Sequence, residues 1–228
     1  IAYAREGANV AIQFYPGEEQ DAEEVKELIE KEGVKSLLLP YDLREEKAAA
    51  KIVEDTVEAF GQLDILVLNA GQQIAQESLS ELSMEQIEDT FKVNIISMFE
   101  SVKAAEKYLP AGSTIVTTTS VQATNPSTHL MDYAATKGAI TNFTINLAKY
   151  FAEKGIRVNG VAPGPIWTPL QIDDGQPDGV ISKFGQSSPL ERAGQPAELA
   201  HVYVYLASNE SSYVTAQICG VTGGEAIN

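Results

Sequence analysis

The chain has 228 residues, 44% of them hydrophobic and 21% charged, with 17 Gly and 10 Pro, a globular composition and a length that suits one large domain. Its 32 Asp plus Glu against 16 Lys plus Arg give a formal charge of -16, which excludes electrostatic recruitment by a nucleic-acid backbone or an anionic membrane face. The single Cys219 cannot form an intrachain disulfide, no secretory leader is legible, and no apolar run approaches the roughly 18 residues of a membrane span, so a reducing, cytoplasmic setting is expected.

Residues 9–15 are apolar and β-rich, and Ala22, Val25, Leu28 and Ile29 then recur at helical spacing in an acidic segment, predicting a strand followed by an amphipathic helix. Residues 35–39 predict a second strand, and Ala49, Ile52, Val53, Val57 and Phe60 mark one face of a second helix. The strand at 63–68 lacks polar alternation, as expected where helices cover both faces of a parallel sheet. Its helix is delayed to about Met84, where Ile87, Phe91, Asn94, Ile95, Met98 and Val102 share one side. Further strands are predicted at 114–119, 156–161 and 217–221, and helices at 132–153 and 196–207, the last opened by Pro196. This alternation predicts an α/β fold, a Rossmann-type doubly wound parallel sheet forming a single domain over 1–228, with ligands beyond the carboxyl ends of the strands. Between the strand at 156–161 and the helix at 196–207, the Gly/Pro-rich stretch 163–195 also carries Trp167, Leu170, Ile172, Ile181 and Phe184 and is read as a substrate-covering loop with short helical pieces, the alternative being a packed surface loop.

The residues after each strand are therefore the candidates for chemistry. Asp42 follows 35–39; it can accept from an adenine amino group, while an isolated Asp at such a place more often serves as a turn and cap residue. Asn69-Ala70-Gly71 follows 63–68 and lets a flat ligand approach the backbone. Ser120 follows 114–119, Tyr133 comes thirteen residues later, and Lys137 lies four further on, on the same helix face. A carbonyl reduced by hydride needs hydrogen-bond donors for its developing alkoxide and finally a proton. Ser120 would polarise that carbonyl and Tyr133 would supply the proton, with the Lys137 ammonium drawing the phenol down from its ordinary pKa near 10. Asn94 would hold a water joining Lys137 to solvent, or be a structural polar residue. Tyr150 and Lys154 repeat the spacing, but no strand-end serine precedes them, so they read as helix surface. His129, between Ser120 and Tyr133, is a substrate-facing or polar rim residue. Cys219 reads as a small buried hydrophobe, and no metal site is indicated.

Together, Asp42, Asn69-Ala70-Gly71, Asn94, Ser120, Tyr133-x-x-x-Lys137 and the stretch from Pro163 through Thr168 resemble the short-chain dehydrogenase/reductase family, in order and spacing across nearly the whole chain. Residues 132–137, 155–171 and 194–212 are similar, more narrowly, to bacterial NAD(P)-dependent aldehyde reductases and general stress oxidoreductases. The resemblance implies Asn94, Ser120, Tyr133 and Lys137 as the catalytic tetrad, with Tyr133 and Lys137 also touching the nicotinamide ribose. It implies Asn69, Ala70 and Gly71 on the adenosine side, Asp42 and Leu43 at the adenine, and Pro163, Gly164, Ile166 and Thr168 at the carboxamide and pyrophosphate. Gln122, His129 and Trp167 would face substrate. The family opens with a strand and a Gly-x-x-x-Gly-x-Gly turn for the pyrophosphate; here Ile1 to Gly7 reads as the tail of the helix after that turn, with Gly7 as its cap, so the sequence is expected to start about 20 residues into the fold.

NAD-specific relatives end their second strand with an Asp, a place taken here by Phe14, and no Arg or Lys follows closely, since Tyr15, Pro16 and Gly17 come next. NADP or NAD is expected, with NADP preferred. The helices over 84–109 and 132–153 carry surplus apolar residues, including Phe143, Ile145, Tyr150 and Phe151, which predicts a homotetramer. The expected activity is interconversion of an aldehyde or ketone with its alcohol. The alternatives are a sugar or 3-oxoacyl substrate on the same fold, or a dinucleotide-binding protein without turnover.

Overall fold

The computed structural model describes residues 1–172, 175–177 and 179–227. In chain order, the first half contains α1 (Ala2–Arg5), β1 (Val10–Phe14), α2 (Glu19–Glu30), β2 (Ser36–Pro40), α3 (Ala48–Phe60) and β3 (Ile65–Leu68). It continues through α4 (Met84–Phe91), a π-helical turn (Lys92–Ile96) and α5 (Ser97–Ala105). The second half contains β4 (Thr114–Thr118), α6 (Met131–Ala152), β5 (Arg157–Pro163), α7 (Pro169–Ile172), α8 (Pro196–Ala207) and β6 (Ile218–Val221). Gly7 closes the first helix with φ 89°, a left-handed conformation that suits glycine.

Two compact units divide the chain, one of Ile1–Asp64 with Ile96–Pro110 and the other of Ile65–Ile95 with Ala111–Asn228. In the first, β1 pairs in parallel with β2, Val10 opposite Ser36 and Phe14 opposite Pro40. The acidic helix α2 turns Ala22 and Ile29 inward, and α3 buries Ala48, Ala49 and Val53. In the second, four parallel strands run in the order β3-β4-β5-β6. Ile115, Val116, Val158 and Val161 in its central strands are fully buried, joined by Ile140 and Phe151 of α6 and Leu206 of α8. Strand alternation sends Thr117 of β4 toward α6, where its hydroxyl lies 2.6 Å from that of Thr144, and Thr118 toward the opposite face.

Two expectations are modified. The single sheet is two hydrogen-bonded sheets among the described residues, because β1 pairs with β2 and β3 with β4, and no described strand forms a ladder to both β1 and β3. The helix from Met84 is broken by the π turn, which inserts Asn94 out of helical register, a device that recurs at functional sites. The loop over 163–195 carries short helical pieces, as expected: it contains α7 and a 3-10 turn at Ile181–Lys183, and Ile166 bridges to Gly194. Residues 173, 174 and 178 of that expected loop lie outside the described residues. Among the described residues no helix is long and apolar enough to cross a membrane.

Candidate active site

The carboxyl end of β4 and the first turns of α6 assemble the site. Lys137, 2% exposed, donates from Nζ to the Thr118 carbonyl at 2.9 Å. Its ammonium lies 5.1 Å from the centre of the Tyr133 ring. Tyr133 is buried, and the Ser120 hydroxyl acts on its phenol, favouring the ionised form. The Ser120 hydroxyl also accepts from the Gln122 amide at 3.2 Å, capping the short turn after β4. Thr119 fixes α6 against this strand end: its hydroxyl donates to the Lys137 carbonyl at 2.8 Å and lies 2.8 Å from that of Thr141.

Burial dominates the electrostatics of the pair. It pushes the Tyr133 phenol up to about 12, against the opposing pull of the Ser120 hydrogen bond, and pushes the Lys137 ammonium down to about 8. In the protein alone the phenol thus stands above its ordinary value, burial outweighing the Ser120 hydroxyl. At neutral pH the phenol is protonated and the amine is largely an ammonium.

Asn94 is fully buried in the π turn. Its Oδ1 accepts from the Gln72 amide at 2.7 Å, and its Nδ2 donates to the Gln72 carbonyl and to Thr136 Oγ1, both at 3.0 Å. The side chain thus pins the turn after β3, using both of its N–H groups and its oxygen. Gly71 lies in this corner: a Cβ there would stand at ordinary contact distance, 3.5 Å from Asn94 Oδ1 and 3.6 Å from Lys137 Nζ. Asn69, at the start of the same turn, accepts from Thr118 Oγ1 at 2.9 Å and remains exposed.

At the end of β5, Gly164 has no room for a side chain: a Cβ would lie 2.6 Å from the Thr222 carbonyl oxygen. Pro163 ends the strand, and the Gly164 amide donates to the Val221 carbonyl at 2.9 Å. Ile166 is buried and Trp167 donates its amide to Gly194 at 2.9 Å. The Thr168 carbonyl receives the Gln171 amide at the start of α7. The Trp167 indole is 40% exposed and tilts against Phe184, ring centres 6.2 Å apart. Gln122 Oε1 accepts from the Ser127 amide at 2.6 Å. His129 Nδ1 lies 3.2 Å from the Gln76 carbonyl and 3.9 Å from the Glu77 carboxylate. A cavity of about 450 Å³ extends from Gln122 to Met131 and Gly138, but none of Ser120, Tyr133, Lys137 or Asn94 lines it, so it lies beside the chemistry.

In the other unit, Asp42 forms the turn expected of the bland reading: its Oδ1 accepts from the Arg44 amide at 2.9 Å, while Arg44 Nη2 donates to Oδ2 at 2.7 Å. That guanidinium holds the Asp42 carboxyl below its ordinary pKa. Leu43, between them, is partly buried. Arg44 also donates to the Tyr15 hydroxyl at 2.8 Å and lies 5.3 Å from the centre of its ring. The cation missing from the sequence after β1 thus arrives there from the segment after β2.

Sequence reasoning missed Thr118, Thr136, Gln72 and Tyr203, the last lying 2.6 Å through its hydroxyl from Thr118 Oγ1. The run Thr117-Thr118-Thr119 in a buried strand was the available signal, because buried hydroxyls require partners. Cys219 is partly buried, which raises its thiol pKa, in line with an inert hydrophobe.

The family model described as Enoyl-(Acyl carrier protein) reductase matches residues 1–225. The chain is 59% identical over 227 residues to the uncharacterized oxidoreductase YhxD of Bacillus subtilis (strain 168), covering 98% of this chain and 76% of YhxD. It is 49% identical over 227 residues to general stress protein 39 of the same organism, covering 100% and 79%. It is 44% identical over 232 residues to NADPH-dependent aldehyde reductase 1, chloroplastic, of Arabidopsis thaliana, covering 99% and 80%. Among solved structures it is similar to a short chain dehydrogenase from Burkholderia cenocepacia J2315 in complex with NADP, with TM-score 0.89 and 30% identity over 97% of this chain and 89% of that one.

Proposed function

The chain belongs to the short-chain dehydrogenase/reductase family, and from that premise we propose that it is an NADP-dependent reductase converting small aldehydes or ketones to alcohols, reversibly, with Tyr133 as the general acid and base. The observation that carries this reading is the buried Tyr133–Lys137 pair beside Ser120, a phenol holding its proton next to a cation in a site where carbonyl oxygen would develop negative charge.

The residues fit a dinucleotide. Lys137 has three N–H donors and, among the described residues, one acceptor, which leaves donors for a ribose diol. Gly164 and Gly71 keep the strand ends bare enough for a ligand to lie against the backbone. When bound, the dinucleotide supplies the hydride. Ser120 donates a hydrogen bond to the substrate carbonyl oxygen, and Tyr133 donates its proton to that oxygen as it becomes an alkoxide. The cation of Lys137 stabilises the resulting phenolate. Asn94 holds the turn carrying Gly71 in place through the Gln72 backbone. Pro163, Gly164, Ile166 and Thr168 would hold the carboxamide and pyrophosphate, Asn69, Ala70 and Gly71 would line the adenosine side, and Asp42 and Leu43 the adenine.

NADP is favoured over NAD because Arg44 stands beside Tyr15 where β1 ends, and an arginine can receive a 2′-phosphate. The aldehyde reductase from Arabidopsis and the NADP complex from Burkholderia support the same choice. Trp167 and Phe184 suit small or moderately apolar substrates, with Gln122 and His129 at a polar rim. We place the protein in the cytoplasm as a homotetramer, on the grounds of its lone cysteine and of apolar residues such as Tyr150, 58% exposed on α6.

Initial rates with NADPH and NADH across short aliphatic aldehydes, an aldose and a 3-oxoacyl thioester test the reading. The highest kcat/KM is expected for an aldehyde with NADPH. A higher value for the aldose or thioester would move the substrate class, and dinucleotide binding without turnover of any carbonyl would reduce the protein to a binding function.

A further inference from the structure

Tyr203 comes from α8, outside every motif that marks the site, yet its hydroxyl reaches the residue that supports the site. It lies 2.6 Å from Thr118 Oγ1, and Thr118 Oγ1 lies 2.9 Å from Asn69 Oδ1. A threonine hydroxyl has one hydrogen. Here it is given to Asn69 Oδ1, which can only accept, so Tyr203 must be the donor to Thr118. The chain then runs one way, Tyr203 O–H to Thr118 O–H to Asn69 Oδ1. Its end is fixed as well: with Oδ1 turned to Thr118, the two N–H groups of Asn69 Nδ2 face away on an exposed residue at the carboxyl end of β3 and have no hydrogen-bond partner among the described residues.

We propose that Tyr203 is a positioning residue that, through Thr118, sets the orientation of the Asn69 carboxamide so that it presents N–H donors to the dinucleotide. The proposal rests on the cofactor reading above. Without the tyrosine hydrogen, the Thr118 hydroxyl can accept as readily as donate, and the Asn69 amide can turn over and offer Oδ1 instead. Tyr203 suits the task because it packs against the buried Val116, Val161 and Leu206, which fixes its ring. Burial also pushes its phenol up to about 12, so it remains a donor throughout the working pH range.

The test is NADPH affinity by fluorescence titration of the intact protein, with Tyr203→Phe, Asn69→Ala and the double variant, and steady-state KM and kcat beside it. Tyr203→Phe should weaken NADPH roughly threefold to tenfold, the size of one oriented hydrogen bond, with the loss in KM rather than kcat. In the Asn69→Ala background the same substitution should add nothing. An unchanged affinity in Tyr203→Phe, or an equal loss in both backgrounds, overturns the proposal. Should Tyr203→Phe fail to fold, Thr118→Val breaks the same chain and must show the same loss, with Thr118→Ser restoring it; an affinity in Thr118→Val equal to that of the parent is likewise fatal. A parent protein that binds NADPH but gives these negative results removes Tyr203's role alone, whereas a folded parent that binds no dinucleotide contradicts the cofactor reading and the proposal with it.

Discussion

Burying an ammonium opposes folding, and Lys137 is buried with, among the described residues, one hydrogen bond, to a carbonyl. Its pKa falls from an ordinary 10.5 to about 8, a difference on the order of 3 kcal/mol against the folded state at neutral pH. As pH rises through about 8 the folded protein gives up this proton while the unfolded chain keeps it to 10.5, so the unfolded state binds more protons and stability increases. Tyr133 acts in the opposite sense only above pH 10, where the unfolded phenol ionises and the buried one does not. Denaturation of the parent and of Lys137→Met between about pH 8 and 10 should therefore show a rise in stability in the parent that the variant lacks, with the variant more stable at pH 7 and inactive; parallel profiles would refute this. Arg44 makes a second prediction at this scale. Arg44→Ala should reduce the preference for NADPH over NADH roughly tenfold or more by loss of a charge-assisted contact, and an unaltered ratio of kcat/KM values would exclude it from the 2′-phosphate site. The cluster of Ser120, Tyr133 and Lys137 was legible because the three lie close in sequence, Tyr133 and Lys137 at a spacing that a helix converts into proximity. Thr118 was not, because its partners Asn69 and Tyr203 are 49 and 85 residues away, a distance in sequence that no periodicity records.

Among the elements, the end of β5 depends most on one residue. A methyl group at Gly164 would meet the Thr222 backbone at 2.6 to 2.8 Å, and backbone cannot yield as a flexible side chain can. Gly164→Ala should destabilise the protein by about 2 kcal/mol or more and weaken dinucleotide binding further than the stability loss explains; a Tm within a degree or so of the parent would show that the strand end relaxes. Gly164 was legible by resemblance, but the reason for it was not, since Thr222 comes from the far side of the loop and α8. The π turn was also hidden. Ile87, Phe91, Ile95, Met98 and Val102 satisfy an ordinary helix, and the turn follows from a tertiary demand, the capture of the Gln72 backbone by Asn94.

For the whole molecule, strand positions and their parallel sense followed from the alternation of apolar runs and amphipathic helices, whereas ladder connectivity did not, because a pattern of elements does not state which strands share hydrogen bonds. The same limit applies to assembly. Phe151, counted among the surplus apolar residues, is fully buried, and Tyr150 stands edge-on to it at 5.0 Å with 58% of its surface exposed. On α6, Tyr150 is exposed and Phe143 and Ile145 are partly buried. Light scattering should return four chains per particle, and a monomer would refute the assembly. The central claim is that Tyr133 transfers the proton that accompanies carbonyl reduction. Its most direct measurement is single-turnover oxidation of enzyme-bound NADPH on mixing with a small aldehyde, in the parent and in Tyr133→Phe. The parent should oxidise the cofactor and the variant should be slower by roughly a thousandfold or more at nearly equal NADPH affinity; equal rates in the two proteins would contradict the account.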